Sequence, residues 1–335
     1  MARKTIAAEL AEETIRKFPK SGTKTLARKL YREHPELWPS LEACRGCLRR
    51  LRGAAGELFR RKIKPVQVRT PRESETCRRW GALIPRPAPN RWKRHRLPAG
   101  PKRWLIVADL HVPYHDKRAL EACLRDADGN CDGVIILGDA IDAYQLSTWQ
   151  RDPRKRGFRA ELEDWKKMLD IFRSFGPVVW KAGNHERRLE TYLMRKAPEL
   201  FDMPEFTFPS FCDLEAKGIV WVPPMDILYH HKLTLMHGHE PRHSMYNPVN
   251  PARGVFLRTK ACTLIAHFHV PSHHSERTVE DRIISCWSLG CLCDLHPEYD
   301  AVTNKWGHGF GYLEVQEGQR KWNVITKRIV DGVVV

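Results

Sequence analysis

The sequence predicts an α/β fold with a largely parallel sheet, preceded by a small all-helical unit. From residue 102 onward, short apolar runs alternate with amphipathic helical segments, a pattern typical of parallel strands joined by helices. Before residue 63, apolar residues instead recur at helical spacing. Seven prolines between residues 63 and 101 disfavour a continuous helix there. We therefore predict a basic helical domain over residues 1–62, a proline-rich basic linker over 63–101 and an α/β domain over 102–335.

The first domain should contain three short helices, at about residues 6–18, 23–33 and 41–52, each ending near a proline or a glycine. Ser40 is the predicted N-cap of the third helix. That helix has an apolar stripe on one side and Arg45, Arg49 and Arg52 on the other. A third helix of this kind resembles the recognition helix of a helix-turn-helix unit. The alternative is a small bundle whose arginines are simply solvated.

The positive charge of the chain is concentrated at its N-terminal end. Residues 1–100 contain 26 Lys and Arg against 9 Glu and no Asp, whereas the remainder contains 31 residues of each sign. This asymmetry is typical of a polyanion-binding appendage on an electrically balanced enzyme. We therefore expect nucleic acid to be a partner of residues 1–100.

One stretch of the linker places an aromatic residue among cations, at Arg91, Trp92, Lys93 and Arg94. Such a stretch can hold a phosphate backbone and stack on a base. A basic tether without a fixed partner explains the same residues equally well.

The sequence also constrains the cellular location of the protein and the redox state of its cysteines. No apolar run is long enough to cross a bilayer, and the N-terminus lacks the apolar segment of a signal peptide, so we expect a cytoplasmic protein without a membrane partner. The ten cysteines are expected to be reduced thiols, mostly buried in apolar segments. Cys44-x-x-Cys47 and Cys291-x-Cys293 are interpreted as structural, because no second pair completes a zinc site.

In the α/β domain, each of five predicted strands runs directly into polar residues. Functional groups of open α/β sheets gather beyond the carboxyl ends of strands, so these loops are expected to converge. Their imidazole, carboxylate and amide groups suit two divalent ions without any thiolate. The five loop sequences are Asp109-Leu110-His111, Gly138-Asp139-Ala140-Ile141-Asp142, Gly183-Asn184-His185-Glu186, His237-Gly238-His239 and His267-Phe268-His269.

The order of these motifs resembles that of the calcineurin-like metallophosphoesterases. The resemblance implies a four-layer α/β/β/α sandwich and two divalent ions, Mn²⁺ ahead of Fe²⁺ or Zn²⁺, that activate a shared water. The tail around residues 288–290 and 306–310, together with the basic helical region, further resembles phage-type phosphoesterases.

The family's roles transfer to matching positions. The resemblance assigns one metal to Asp109, His111 and His269. It assigns the second metal to Asn184, His237 and His267, with Asp139 bridging both. His185 would be the general acid that protonates the leaving oxygen. Asp142 would orient His185 and favour its protonated form.

Several positions leave alternatives open or depart from the family. His239 could replace His237, and His115 and His308 could line the cleft. Ala266 stands where the family often has glycine. Ala143 stands where the protein-phosphatase branch has an arginine, which favours a phosphodiesterase. Arg187 and Arg188 could contact phosphate instead, or simply begin a surface helix.

The preferred hypothesis is a metal-dependent phosphodiesterase that acts on nucleic acid, that is, a nuclease. One alternative is a phosphomonoesterase or protein phosphatase whose basic domain serves for localisation. An alternative from another class is a DNA-binding accessory protein with a vestigial metal site.

Overall fold

The computed structural model describes residues 5–53, 81–89, 92–148, 152, 154, 157–241, 249–297, 304–316 and 321–335. The chain divides into two units, Met1–Pro89 and Asn90–Val335. The predicted α/β domain and the end of the predicted linker thus fall in one unit.

The N-terminal unit contains the three predicted helices, α1 (Ile6–Lys17), α2 (Thr23–Glu33) and α3 (Leu41–Leu51). The Ser40 hydroxyl caps α3 by accepting a hydrogen bond from the Ala43 amide at 3.1 Å. The apolar faces of the helices meet in a core that contains Ala11, Ile15, Leu26, Ala27, Leu30, Trp38, Cys44 and Leu48. Cys44 therefore packs in the core, and all nine cysteines that the structure describes are unpaired thiols.

The three arginines predicted to form one stripe of α3 have different surroundings. Arg52 donates to the Thr23 hydroxyl at 3.1 Å and faces the Phe18 carbonyl oxygen at 3.5 Å, so it connects α3 to the preceding helices. Arg45 pairs with Glu42 on its own helix at 3.3 Å. Arg49 is exposed. Arg49 is therefore the member of the stripe best placed to contact a polyanion.

The second unit is built on two mixed sheets. Its strands are β1 (Arg94–Arg96), β2 (Arg103–Val107), β3 (Gly133–Leu137), β4 (Val178–Lys181), β5 (Val220–Val222), β6 (Ile227–His230), β7 (Leu233–Leu235), β8 (Thr263–Ile265), β9 (Ser272–Arg277), β10 (Ile283–Ser288), β11 (His308–Val315), β12 (Trp322–Val330) and β13 (Val333–Val334). Its helices are α4 (Lys117–Ala127), α5 (Phe158–Arg173), α6 (Arg187–Lys196), α7 (Phe208–Phe211) and α8 (Pro251–Thr259). The strand orders are β13-β12-β11-β2-β3-β4-β5 and β1-β6-β7-β8-β10-β9.

Four layers result from how these elements bury their apolar faces. Alternate residues of the central strands, such as Ile106, Ile135 and Leu264, pack between the two sheets. The opposite face of the seven-stranded sheet packs against α4, α5 and α6. Helix α8 covers the outer face of the six-stranded sheet through Val255 and Phe256. The predicted α/β/β/α sandwich is confirmed, and no helix among the described residues is long and apolar enough to span a bilayer.

The start of this unit differs from the prediction, which assigned residues 63–101 to a linker. Strand β1 pairs in parallel with β6, and Leu97 is buried between the sheets. The buried Asp226 carboxylate holds the segment by accepting from the Lys93 amide at 2.8 Å and contacting His95 Nε2 at 2.7 Å. The prolines flank the strand and do not interrupt it, so residues 94–97 belong to the α/β unit. Most of the predicted linker, including Arg91, lies outside the described residues.

The substitution Asp226→Ala tests this anchoring. We expect hydrogen exchange at the Ile227 and Leu97 amides, which bond across β1 and β6, to accelerate roughly tenfold or more, because two donors lose a buried acceptor worth about 1–3 kcal/mol. Asp132→Ala is the matched control, since Asp132 accepts from the Lys102 and Arg103 amides instead. Unchanged protection in Asp226→Ala would contradict the anchoring.

Candidate metal centre

The five motif loops meet at one end of the sandwich. They follow β2, β3 and β4 of one sheet and β7 and β8 of the other. Because β2, β3 and β4 are parallel to one another, and β7 is parallel to β8, the carboxyl ends of the strands in each set share one edge. The seven predicted metal ligands are therefore brought together from both sheets.

Asp139 lies at the centre of the cluster. Its Oδ2 atom is 3.1 Å from His237 Nε2, 3.7 Å from His185 Nε2 and 3.9 Å from His111 Nε2. Ligand atoms of Asp139 lie within 4.8 Å of those of His111 on one side and of His237 and His267 on the other. This is the position expected of a carboxylate that bridges two ions.

Asp109 completes the opposite side. Its Oδ1 atom is 3.5 Å from His269 Nε2, 3.8 Å from His237 Nε2 and 4.0 Å from His111 Nε2. His237, and not His239, faces both carboxylates, which agrees with the preferred assignment.

The donor set fits divalent cations. Asp109 Oδ1 and Asn184 Oδ1 are buried without a hydrogen-bond partner within the described parts of the chain. Buried oxygens are ordinarily satisfied, and bound cations would supply the partners that these two oxygens lack. Imidazole, carboxylate and amide donors suit ions such as Mn²⁺, Fe²⁺ and Zn²⁺.

The backbone of the ligand loops is strained. Five of the seven predicted ligands have left-handed φ angles, namely Asp109 (51°), His111 (48°), Asp139 (48°), His267 (69°) and His269 (58°). For residues other than glycine this conformation costs on the order of 1 kcal/mol each, and it persists where the surroundings enforce it. Gly183 is required by close approach, because a Cβ atom there would lie 2.2 Å from Asp139 Oδ1. Ala266 has no such constraint, and its methyl group packs between the sheets.

Two buried glutamates fasten the strained loops. Glu186 accepts from the amides of Asp139, Ala140 and Gly183 at 3.1, 2.8 and 2.6 Å, joining the loops after β3 and β4. Glu240 accepts from the His237 amide at 3.0 Å and pairs with Lys181 at 2.9 Å. The sequence analysis assigned no role to these glutamates. Their position in or beside ligand motifs was the available signal for them.

The predicted general acid lies at the edge of the cluster, but its protonation differs from the prediction. His185 Nδ1 lies 2.9 Å from the backbone carbonyl oxygen of Asp142 and 3.5 Å from its carboxylate Oδ2. Burial, however, lowers the pKa of His185 to about 3. Arg188 lies 3.0 Å from Nε2, and a guanidinium can only donate, so Nε2 accepts. In this state His185 is neutral, and Asp142 does not keep it protonated.

The two arginines at the start of α6 have different surroundings, and Arg188 contacts Asp142. It donates to the Asp142 carbonyl oxygen at 2.7 Å and to Asp142 Oδ1 at 3.1 Å. Arg187 points elsewhere, with its guanidinium 3.5 Å from Met225 Sδ. A cation therefore reaches the cleft from α6, although Ala143 replaces the arginine of the protein-phosphatase branch.

A cleft of about 440 Å³ opens over the cluster. Tyr144, Ser147 and Trp306 line the cleft without having been predicted as site residues. His115 and His308 do not line this cleft, and His308 instead contacts the Cys293 carbonyl oxygen at 2.9 Å. The cleft is lined by His111, Asp139, Asp142, Tyr144, Ser147, Asn184, His185, Arg188, His267, His269 and Trp306.

Cys293 has a closer relation to the site than predicted. Its sulfur lies 3.8 Å from His269 Nδ1, on the side of the ring away from Asp109. A metal-binding histidine usually has a partner on its second nitrogen, and here that partner is a thiol.

The residues proposed for nucleic-acid contact are not part of this cluster. Trp92, Lys93 and Arg94 are exposed at the edge strand β1. Arg45, Arg49 and Arg52 belong to the N-terminal unit.

The charges of the cluster are mutually stabilised. Burial alone would lower the pKa of His237, but the carboxylates of Asp139, Asp109 and Glu240 together outweigh burial and raise the pKa to about 10. Burial likewise opposes protonation of His269, yet Asp109 raises its pKa to about 9. In the ion-free protein, both rings are therefore protonated at neutral pH.

The fold has two packed sheets with outer helices, and His and Asp side chains that could hold metal ions gather at the shared strand ends; this is the arrangement of an α/β/β/α metallohydrolase fold. The calcineurin-like phosphoesterase family model matches residues 102–308, and the chain belongs to that family. Gene 54 protein of Mycobacterium phage L5 is 25% identical over 232 residues, covering 65% of this chain and 90% of that protein. Gene 54 protein of Mycobacterium phage D29 is 25% identical over 245 residues, covering 69% and 95%. These relatives agree with the phage-type resemblance. The solved structure of Yfce, a phosphoesterase from E. coli, aligns with 63% of this chain and 88% of its own at 16% identity and a TM-score of 0.30.

We expect binding of a divalent ion to release protons. The ion needs the lone pairs that His237 and His269 use for protons, so affinity should rise as pH increases from about 6 to about 9. Calorimetry in buffers of different ionisation enthalpy measures the released protons directly. His296→Gln, which changes an exposed histidine, should leave this behaviour intact. An affinity independent of pH over that range would show that these rings do not bind the ion.

Proposed function

We propose that the protein is a metal-dependent phosphodiesterase that acts on nucleic acid through two bound divalent ions. The observation that carries the metal-dependent chemistry is the convergence of six predicted ligand side chains around Asp139, with two buried oxygens that have no hydrogen-bond partner among the described residues. A vestigial site would have no physical reason to keep the complete set of converging ligands. This disfavours a purely DNA-binding accessory role.

Ions bound here would lower the pKa of a shared water and neutralise the phosphoryl oxygens during in-line attack. The side chains of the cleft have separate tasks. Asp142 fixes the His185 ring through Nδ1, which leaves Nε2 facing the cleft. A phosphate anion beside the ring would raise the pKa of His185, and once Nε2 is protonated Arg188 would keep only its bonds to Asp142. His185 would then carry the proton that the leaving oxygen takes.

The preference for a diester rests on how Arg188 is used. Its donors bind Asp142 and His185, so it is not presented as a free clamp for a dianionic monoester. The basic excess of residues 1–100 supports a polyanionic substrate. A phosphomonoesterase remains the second candidate, because the same arginine lies within the cleft and could turn towards phosphate.

Hydrolysis of two small substrates separates these candidates. With Mn²⁺, we expect kcat/KM to be higher for bis(p-nitrophenyl) phosphate than for p-nitrophenyl phosphate, and EDTA should abolish both activities. Asp139→Asn should lower the rate by roughly a thousandfold or more, because the bridging charge is lost. The control is Asp202→Asn, because Asp202 is exposed and lies in the loop after α6, outside the ligand motifs. This substitution should leave the rate unchanged. A preference for the monoester would contradict the proposal.

Nucleic-acid binding by the N-terminal unit is tested by its salt dependence. The logarithm of the association constant for duplex DNA should fall steeply with the logarithm of salt concentration. Arg49→Ala should reduce the slope by about one, because one phosphate contact is lost. Arg125→Ala, an exposed arginine of the α/β unit, should not change the slope. Binding that does not respond to salt would argue against an electrostatic role for this unit.

A further inference from the structure

We propose that a single strand of nucleic acid reaches the metal centre along a cationic track on the α/β unit. The track consists of Arg188 in the cleft, Arg187 beside it, and Lys93 and Arg94 on the edge strand β1. This inference rests on the proposed function and specifies the form of its substrate.

The first step is that the basic segment is fixed in place. Asp226 is only 6% exposed and binds both the Lys93 amide and the His95 ring. The Leu97 amide donates to the Tyr229 carbonyl oxygen at 2.9 Å. The side chains of Lys93 and Arg94 therefore project from a paired strand and do not belong to a free tether.

The second step is that β1 begins at the same end of the unit as the ligand loops. The loop before β6 is held near the carboxyl end of β4, because Lys181 donates to the Pro224 carbonyl oxygen at 2.9 Å. Strand β6 follows Asp226, and β1 runs parallel to it. Lys93 thus lies at the end of the sheet from which Asn184 and His185 emerge.

The third step links this segment to the cleft. Arg187 and Arg188 are consecutive in the first turn of α6. Arg188 lines the cleft, and Arg187 contacts Met225, the neighbour of Asp226. Positive side chains therefore follow one another from the metal cluster to β1.

The fourth step is that the side chains along this path have the chemistry of a single-strand binding surface. Lys93, Arg94 and Arg187 form no ion pair with any residue that the structure describes. The Arg94 guanidinium lies over the Tyr229 ring at 4.6 Å, and Trp92 is 49% exposed. Cations that follow a backbone, next to aromatic faces, are characteristic of single-strand binding. A cleft of about 440 Å³ has the size of a small-ligand pocket, which suits one unpaired nucleotide.

The test compares two triple charge reversals in the full-length chain. The track variant is Lys93→Glu, Arg94→Glu and Arg187→Glu. The matched control is Lys102→Glu, Arg125→Glu and Arg258→Glu, three exposed cations that precede β2, β3 and β8 and so lie away from their carboxyl ends. Both variants change the net charge equally and keep the N-terminal unit intact.

The measurement is fluorescence anisotropy with a labelled oligothymidine of about 12 nucleotides. The track variant should bind at least roughly tenfold more weakly, and its salt slope should fall by about two, because three contacts to a single strand are lost. The control should change affinity much less. Equal losses in both variants, or no loss in either, would overturn the track.

A duplex of the same length identifies the preferred form. If the track variant weakens duplex binding as much as single-strand binding, the claim of a single-stranded substrate is wrong. Hydrolysis of bis(p-nitrophenyl) phosphate by the wild-type protein reports on the proposed function alone. Its absence would refute the phosphodiesterase while leaving the binding comparison as a valid test of the track.

Discussion

The metal centre depends on one constraint, the burial of the Asp139 carboxylate. The Asp139 side chain is 2% exposed, and its nearest cationic neighbour is the His237 ring at 3.1 Å. A buried carboxylate is tolerated only where positive charge and hydrogen-bond donors compensate it. In the ion-free protein His237 and His269 supply that charge as imidazolium groups. A bound cation would replace their protons, so the same geometry suits both states.

This constraint also explains the network around the ligands. The loops that carry Asp109, Asp139 and His267 adopt left-handed backbone conformations, which are unfavourable for these residues in isolation. Glu186 and Glu240 hold the ligand loops by accepting hydrogen bonds from their backbone amides. Lys181, the partner of Glu240, donates to the Pro224 carbonyl oxygen. Ligand positions set by several buried contacts at once have little freedom to relax. Such preorganisation is what a two-ion site requires.

The chemistry and the substrate are supported by different parts of the chain. The ligand cluster and the family match define a phosphoesterase within residues 102–308. The basic excess lies before residue 101, and the structure shows that its last part is a strand of the α/β unit. Arg188 bears on substrate specificity, because it places an arginine in the cleft although the motif loop that contains Asp142 lacks one. In this cleft, Arg188 binds both His185 and Asp142, the residue that contacts the other nitrogen of the His185 ring.

The sequence by itself determined the sandwich class, the three N-terminal helices and the seven side chains that meet at the strand ends. Each of these depends on local apolar patterns or on the order of motifs at strand ends. It did not determine β1 or β9, because short polar strands such as Ser272–Arg277 are held by pairing and not by an apolar pattern. Only the tertiary structure decided that Arg188 enters the cleft while Arg187 leaves it, and that His185 is neutral. Those outcomes depend on distances and burial among residues far apart in the chain, which no local pattern encodes.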